Sequence, residues 1–268
     1  MDYYIDTHAH VFAQEFDKDR DEALRRSLDA GVKRIYLPNI DHTSVDAMLE
    51  TEMRYPETCF ATMGLHPCSV KKDFTRELYH VEEWLARRSF AAVGEIGTDL
   101  YWDKTFWHEQ QEAFRVQVGW ALQYDLPVII HCRESLDETI DMVEELQNGK
   151  LRGVFHCFGG TLDQANRIIA TGFYLGIGGI ITFKKSQLDP VLKALGADHM
   201  VLETDSPYLA PEPFRGKRNE PSYIPVIAEK LSDVLGTDPH HVRTITTTNA
   251  LKLFDKADPT ADDETEQG

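Results

Sequence analysis

The sequence predicts an α/β protein of the (β/α)8 TIM-barrel class, of the metal-dependent hydrolase type, and three observations predict it. Eight short apolar runs alternate with stretches of helical period along the chain. Six of those runs carry a metal-type ligand at or just past their C-terminal end. The length, 268 residues, suits a single barrel, which commonly needs about 250. In a parallel barrel all strand C-termini meet on one rim, so ligands far apart in sequence converge there.

The first run, Tyr3-Tyr4-Ile5, leads into Asp6-Thr7-His8-Ala9-His10. His8 and His10 are two apart, so on an extended strand both imidazoles face one way, and Asp6 is expected to share that face. Arg34-Ile35-Tyr36-Leu37 is the second run. Ala61-Thr62-Met63-Gly64-Leu65 is the third and precedes His66. Ala91-Ala92-Val93-Gly94 ends on Glu95, and Val128-Ile129-Ile130 ends on His131. Val154-Phe155 precedes His156. Phe173-Tyr174-Leu175-Gly176-Ile177 is the seventh run, and Val201-Leu202-Glu203-Thr204 reaches Asp205. An open doubly wound sheet is the competing architecture, but a ligand set spanning the first strand to the last favours closure.

Ala113, Phe114, Val118, Ala121 and Leu122 form a buried stripe at helical spacing. Ser135 with Glu138, and Thr161 with Gln164, match the capping-box pattern and predict helix starts soon after His131 and His156. The stretch 210–223 holds Pro211, Pro213, Gly216 and Pro221 and reads as a long loop after the eighth strand. One domain over residues 1–255 is expected, followed by an acidic tail, 256–268, that lacks apolar periodicity and is expected to be disordered.

An apolar fraction of 42% fits a sizeable core. No apolar run approaches the roughly 18 residues of a membrane span, and the first residues lack a signal-peptide pattern. A cytoplasmic location is the default expectation. Cys59, Cys68, Cys132 and Cys157 form no C-x-x-C pair, which excludes zinc-ribbon and thioredoxin readings. Cys132 and Cys157 follow ligand histidines and are expected to face the helix layer. A net charge of −17 argues against broad contact with a nucleic-acid backbone but leaves a local site open.

Four histidines with Glu95 and Asp205 offer enough donors for two divalent ions, with Glu95 best placed to bridge them. Such a pair activates water and polarises a phosphoryl or carbonyl oxygen; Asp205 is then both ligand and proton acceptor. A lone His-x-His, a lone strand-end histidine or an Asp before Ser-Pro would each be unremarkable. Buried together they are costly unless metal-bound or paired. His42, His80, His108, His199, His240 and His241 are read as surface or structural.

The segments Asp6-Thr7-His8-Ala9-His10, Gly64-Leu65-His66-Pro67, Gly94-Glu95-Ile96-Gly97, His131-Cys132-Arg133-Glu134, His156-Cys157-Phe158-Gly159-Gly160 and Leu202-Glu203-Thr204-Asp205-Ser206-Pro207-Tyr208 resemble the TatD family of metal-dependent hydrolases. The match extends to Arg215-Gly216-Lys217-Arg218-Asn219-Glu220-Pro221 and runs in order from residue 2 to about 254. The resemblance implies an amidohydrolase-type barrel that cleaves nucleic-acid phosphodiesters, most often as a magnesium-dependent 3′-exonuclease on single-stranded DNA. It implies that His8, His10, Glu95 and Asp205 hold one ion and that Glu95, His131 and His156 hold the other, as Mg, Mn or Zn. It also implies Glu95 and Asp205 as catalytic groups and places His66 and Arg133 beside the substrate phosphate. Glu203 stands where some members recruit a further ion. Thr98, in Gly-Glu-Ile-Gly-x-Asp, and Gly159 depart from the family pattern without replacing a ligand.

Arg215, Lys217 and Arg218 suggest a phosphate-binding loop, with Arg215 and Arg218 as substrate contacts; a solvated basic loop is the plainer reading. Tyr101, Trp102 and Trp107 are equally suited to stacking bases or packing a loop. The same ligand set would also serve a carboxylic ester or amide hydrolase, or a metal-holding protein without turnover.

Overall fold

The computed structural model describes residues 1–254; the tail at 256–268 lies outside the described residues. Eight parallel strands form: β1 Tyr4–Asp6, β2 Val32–Leu37, β3 Cys59–Ala61, β4 Val93–Asp99, β5 Val128–Arg133, β6 Gly153–Phe155, β7 Tyr174–Ile177 and β8 Met200–Leu202. Ladders join β1-β2-β3 and β4-β5-β6-β7-β8. Backbone hydrogen bonds close both seams. Gly94 N donates to Met63 O at 3.0 Å and Met63 N to Ala92 O at 3.1 Å. Thr7 N donates to Leu202 O at 3.0 Å and Asp205 N to His8 O at 2.8 Å. The result is the (β/α)8 barrel, with each ligand run at the C-terminal rim.

The helices are α1 Arg20–Asp29, α2 Val45–Arg54, α3 Phe74–Arg87, α4 Trp107–Tyr124, α5 Leu136–Leu146, α6 Leu162–Ala170, α7 Leu188–Leu195, α8 Ile224–Leu235 and α9 Pro239–Phe254. In α4 the expected stripe of Ala113, Phe114, Val118 and Ala121 is buried against the strands. Thr161 and Gln164 complete a reciprocal capping box at α6. No helix among the described residues is long and apolar enough to cross a membrane.

Inside the barrel floor, Ile5, Tyr36, Ile129, Val154 and Val201 pack with Phe254 of α9. The Phe254 ring stacks on Tyr36 at a centroid distance of 3.8 Å. Burying such a ring contributes roughly 2–3 kcal/mol and seals the N-terminal end. The C-terminal end is left for chemistry.

Three local expectations need correction. The third ladder stops at Ala61, earlier than the run ending at Leu65; beyond it Met63 makes a lone bridge to Val93. Ser135 precedes α5 without capping it. Its hydroxyl instead donates to Thr98 O at 3.1 Å and accepts from the Thr98 hydroxyl at 2.7 Å, so a tertiary partner outcompetes the local cap. The Asp6 carboxyl is engaged by backbone and hydroxyl donors rather than by the imidazoles, accepting from His8 N at 3.2 Å. It also accepts from Thr204 N at 3.0 Å and the Thr204 hydroxyl at 2.6 Å, pinning β1 to the segment after β8. Burial pushes the Asp6 carboxyl up to about 7.

Candidate metal centre

Glu95 lies on β4, is 2% exposed, and has histidines on both of its oxygens. Oε2 is 3.1 Å from His8 Nε2 and 3.5 Å from His10 Nε2. Oε1 is 3.0 Å from His131 Nδ1, 3.3 Å from His156 Nε2 and 3.4 Å from His66 Nε2. Asp205 Oδ1 stands 3.7 Å from both His8 Nε2 and His10 Nε2. Asp205 takes a left-handed φ of 58° just past β8, a conformation Asp tolerates better than most side chains. The structure therefore brings His8, His10, Glu95, His131, His156 and Asp205 into one cluster.

Backbone positions make this possible. Glu95 and Asp99 share a face of β4 at period two, as do His131 and Arg133 on β5, with Gly97 paired to His131 and Asp99 to Arg133. Gly97 has a φ of +140°, and a Cβ there would sit 1.9 Å from the His131 carbonyl oxygen. Only glycine lets the two ligand strands approach this closely.

The electrostatics suit cation binding. Burial drives His10 and His156 down to about 3, and lowers His8 and His66 as well. Burial thus disfavours the charged form of these rings, which favours lone pairs open to a metal. Burial alone would raise Glu95, but the surrounding histidines, His8 foremost, hold its carboxyl well below the usual range. Asp205 is pushed well above its ordinary value by burial and by repulsion from Glu95 and Glu203. His131 is the exception. Burial lowers it, but hydrogen bonds to Asp99 and Glu95 outweigh that and hold it at about 9.

The His8 and His10 Nε2 atoms face each other at 3.2 Å. Two neutral imidazoles can share only one proton across that gap, whereas a cation would satisfy both lone pairs and the two nearby carboxylates. Three groups meet the spacing of a cation site: His8, His10, Glu95; His8, His156, Asp205; and His66, Glu95, His131. The donor set of imidazoles and carboxylates fits a divalent ion.

His66, expected beside the phosphate, stands as near Glu95 as the other histidines. Arg133 lines the cavity over the cluster, a space of about 500 Å3. Arg215 and Arg218 are not among its lining residues. The Arg215 guanidinium lies 3.9 Å over the Phe183 ring, and Arg218 bonds both Asp19 oxygens at 2.6 and 2.8 Å. These partners engage both guanidinium groups. Glu203 is buried beneath the site; its Oε1 accepts from Cys157 N at 2.6 Å and faces His156 Nδ1 at 3.2 Å, while Oε2 has no hydrogen-bond partner. Cys132 packs against the core as expected. Thr98 points to Thr139 of α5, away from the ligands.

Asp99 is a residue of the cluster that the sequence reading did not single out. Its Oδ2 is 3.0 Å from His131 Nε2, the outer carboxylate that orients a ligand histidine. The signal was present, since Glu95, Gly97 and Asp99 alternate on one strand face.

A buried carboxylate between two histidine groups at the mouth of a barrel defines the class, a metal-dependent hydrolase. The family model described as TatD related DNase matches residues 5–255. The chain is 35% identical to the uncharacterized metal-dependent hydrolase YabD of Bacillus subtilis (strain 168), over 93% of this chain and 98% of YabD. It is 31% identical to the 3′-5′ ssDNA/RNA exonuclease TatD of Cronobacter sakazakii, over 93% of this chain and 97% of that protein. The crystal structure of YjjV, a TatD homolog from Escherichia coli K12, superposes with a TM-score of 0.88 at 30% identity, covering 94% of this chain and 98% of YjjV. The chain belongs to the TatD family of metal-dependent hydrolases.

Proposed function

We propose that this protein hydrolyses phosphodiester bonds of single-stranded nucleic acid, DNA above all, from the 3′ end. The observation that carries the substrate class is Arg133. Among the residues lining the cavity it is the one Lys or Arg, and its guanidinium carbon lies over the Tyr101 ring, 3.6 Å from the centroid, with no carboxylate partner among the described contacts. A guanidinium held in place and left free is suited to a phosphate. The 3′-5′ ssDNA/RNA exonuclease named among the relatives supports the same reading.

His8, His10, Glu95 and Asp205 would hold one divalent ion, and Glu95, His131 and His156 the other; bound, the pair supplies Lewis acidity and activates water. Glu95 spans the two groups through its separate oxygens. Arg133 and His66 orient the phosphate. Asp205, beside His8 and His10, would accept the proton of the attacking water. The cavity walls, including Ile40 and Leu209, limit bulk water around the reacting group.

Protein reconstituted with magnesium, manganese or zinc is incubated with 5′-labelled single-stranded DNA and RNA, beside an aminoacyl ester. Shortening from the 3′ end is expected. No cleavage of either nucleic acid with any of the metals, or hydrolysis of the ester alone, overturns the proposal.

A further inference from the structure

Two exposed aromatic side chains follow β4, Trp102 on the wall of the cavity and Tyr101 beside it, and the hydrolytic groups do not use them. Tyr101 is 47% exposed and Trp102 69%. Trp102 lines the cavity, whereas Trp107, which begins α4, does not. Leaving an indole so open forgoes the burial that large aromatics usually gain. The loop that carries it is nevertheless held firmly. Asp99 Oδ1 accepts the backbone N–H of both Tyr101 and Trp102 at 2.9 Å. The other oxygen of the same carboxylate faces His131 Nε2 at 3.0 Å. One side chain thus fixes the aromatic pair relative to the ligand cluster.

The two rings meet edge to face, 4.9 Å apart at 86°. The Arg133 guanidinium carbon lies 3.6 Å over the Tyr101 ring and 5.4 Å from the Trp102 ring. Tyr101 therefore carries the arginine, while Trp102 keeps most of its surface open to the cavity it lines. Stacking a guanidinium on a ring holds its plane without consuming its donors.

We propose that Tyr101, Trp102 and Arg133 form a nucleobase ledge, with Trp102 stacking the terminal base of the strand whose phosphate Arg133 holds. The assignment rests on the nucleic-acid reading above and adds the group that is recognised. The residues lining the cavity include no Asn, Gln, Ser or Thr, so no side-chain amide or aliphatic hydroxyl reads base edges there. Stacking on the Trp102 π-face accepts every base. The ledge therefore admits all four nucleotides, favours purines for their larger face, and rejects an end that has lost its base.

The test uses the full-length, metal-loaded protein and fluorescence anisotropy. Two 5′-labelled single-stranded oligonucleotides of one length, each with a non-hydrolysable 3′-terminal linkage, differ only in whether the 3′-terminal nucleotide carries a base. Wild type should bind the intact strand roughly tenfold more tightly. Trp102→Ala should abolish that preference, and Trp102→Phe should retain most of it. Equal binding of the two strands by wild type, no binding of either, or an unchanged preference in Trp102→Ala overturns the ledge. A protein that cleaves DNA but ignores the terminal base loses the ledge and keeps the proposed function. One that prefers the base but cleaves no nucleic acid keeps the ledge and loses that function.

Discussion

The network of Asp19, Arg26, Arg218 and Glu220 and the cluster around Glu95 both bring residues that follow β1 together with residues that follow β8, yet they differ in how their charges are matched. In the first, each acid has a guanidinium. Arg26 bonds Glu220 at 2.8 and 2.6 Å, and Arg218 bonds Asp19 at 2.6 and 2.8 Å. Hydrogen bonds from Arg218 hold the Asp19 carboxyl down at about 2. In the second, five histidines crowd one carboxylate, four of them with lowered pKa, and Asp205 is raised. The first network is complete within the protein; the second is completed by added positive charge. Density of charge therefore does not mark a site, whereas unmatched donors do.

The largest test of that contrast is Glu95→Gln, which keeps the shape and removes the charge shared by both histidine groups. Metal content, measured by elemental analysis, should fall, and hydrolysis should drop by more than about a hundredfold, beyond the cost of losing an outer-shell partner. Full metal retention would show that Glu95 does not unite the two groups. Asp205→Asn should lower single-turnover hydrolysis by about 10²–10⁴-fold with the circular-dichroism melt preserved. An unchanged rate would remove Asp205 from proton transfer.

Asp99→Asn follows at roughly 10–100-fold in metal affinity or rate, because His131 loses the carboxylate that orients it. Titration with manganese followed by spin resonance would measure it; unaltered affinity would leave Asp99 serving the aromatic loop alone. Asp99 also shows how far the sequence can be read. Strand-end ligands are legible because an apolar run followed by His, Glu or Asp is a local pattern, and closure makes these positions converge. Asp99 obeys the same period-two rule as Glu95, but a single acid on a strand does not reveal the histidine it meets on the next one. The Ser135 hydroxyl fits a cap in sequence and bonds Thr98 in space. Arg215 and Arg218 read as phosphate contacts because their loop is basic, while their partners, Phe183 and Asp19, lie on distant segments. Pairings between loops are set by tertiary packing, to which local spacing is blind.

The smallest expected effect lies in the matched network. Arg26→Ala removes a pair in which Arg26 is 42% and Glu220 8% exposed. Solvent screens such a pair, so the loss should be about 1 kcal/mol, or about 2–4 °C in melting temperature for a chain of this size. The rate of hydrolysis should stay within about twofold, since Arg26 is not among the residues lining the cavity. The pH dependence sharpens the point. Asp19 is lowered from 3.8 to about 2 in the folded protein. Its contribution to stability is therefore fully present above its unfolded value and fades as pH falls through the folded one. Glu220 is also lowered, because hydrogen bonds from Arg26 and Ser222 outweigh burial, which alone would raise it. Without Arg26 that lowering shrinks, so the variant, already less stable near neutrality, has less left to lose as the pH falls. Melting curves collected between about pH 2 and pH 6 should show wild type and Arg26→Ala separated by a constant gap near neutrality that narrows toward acid. A gap that persists below pH 2 would mean that Arg26 acts through the packing of its stem rather than through the ion pair.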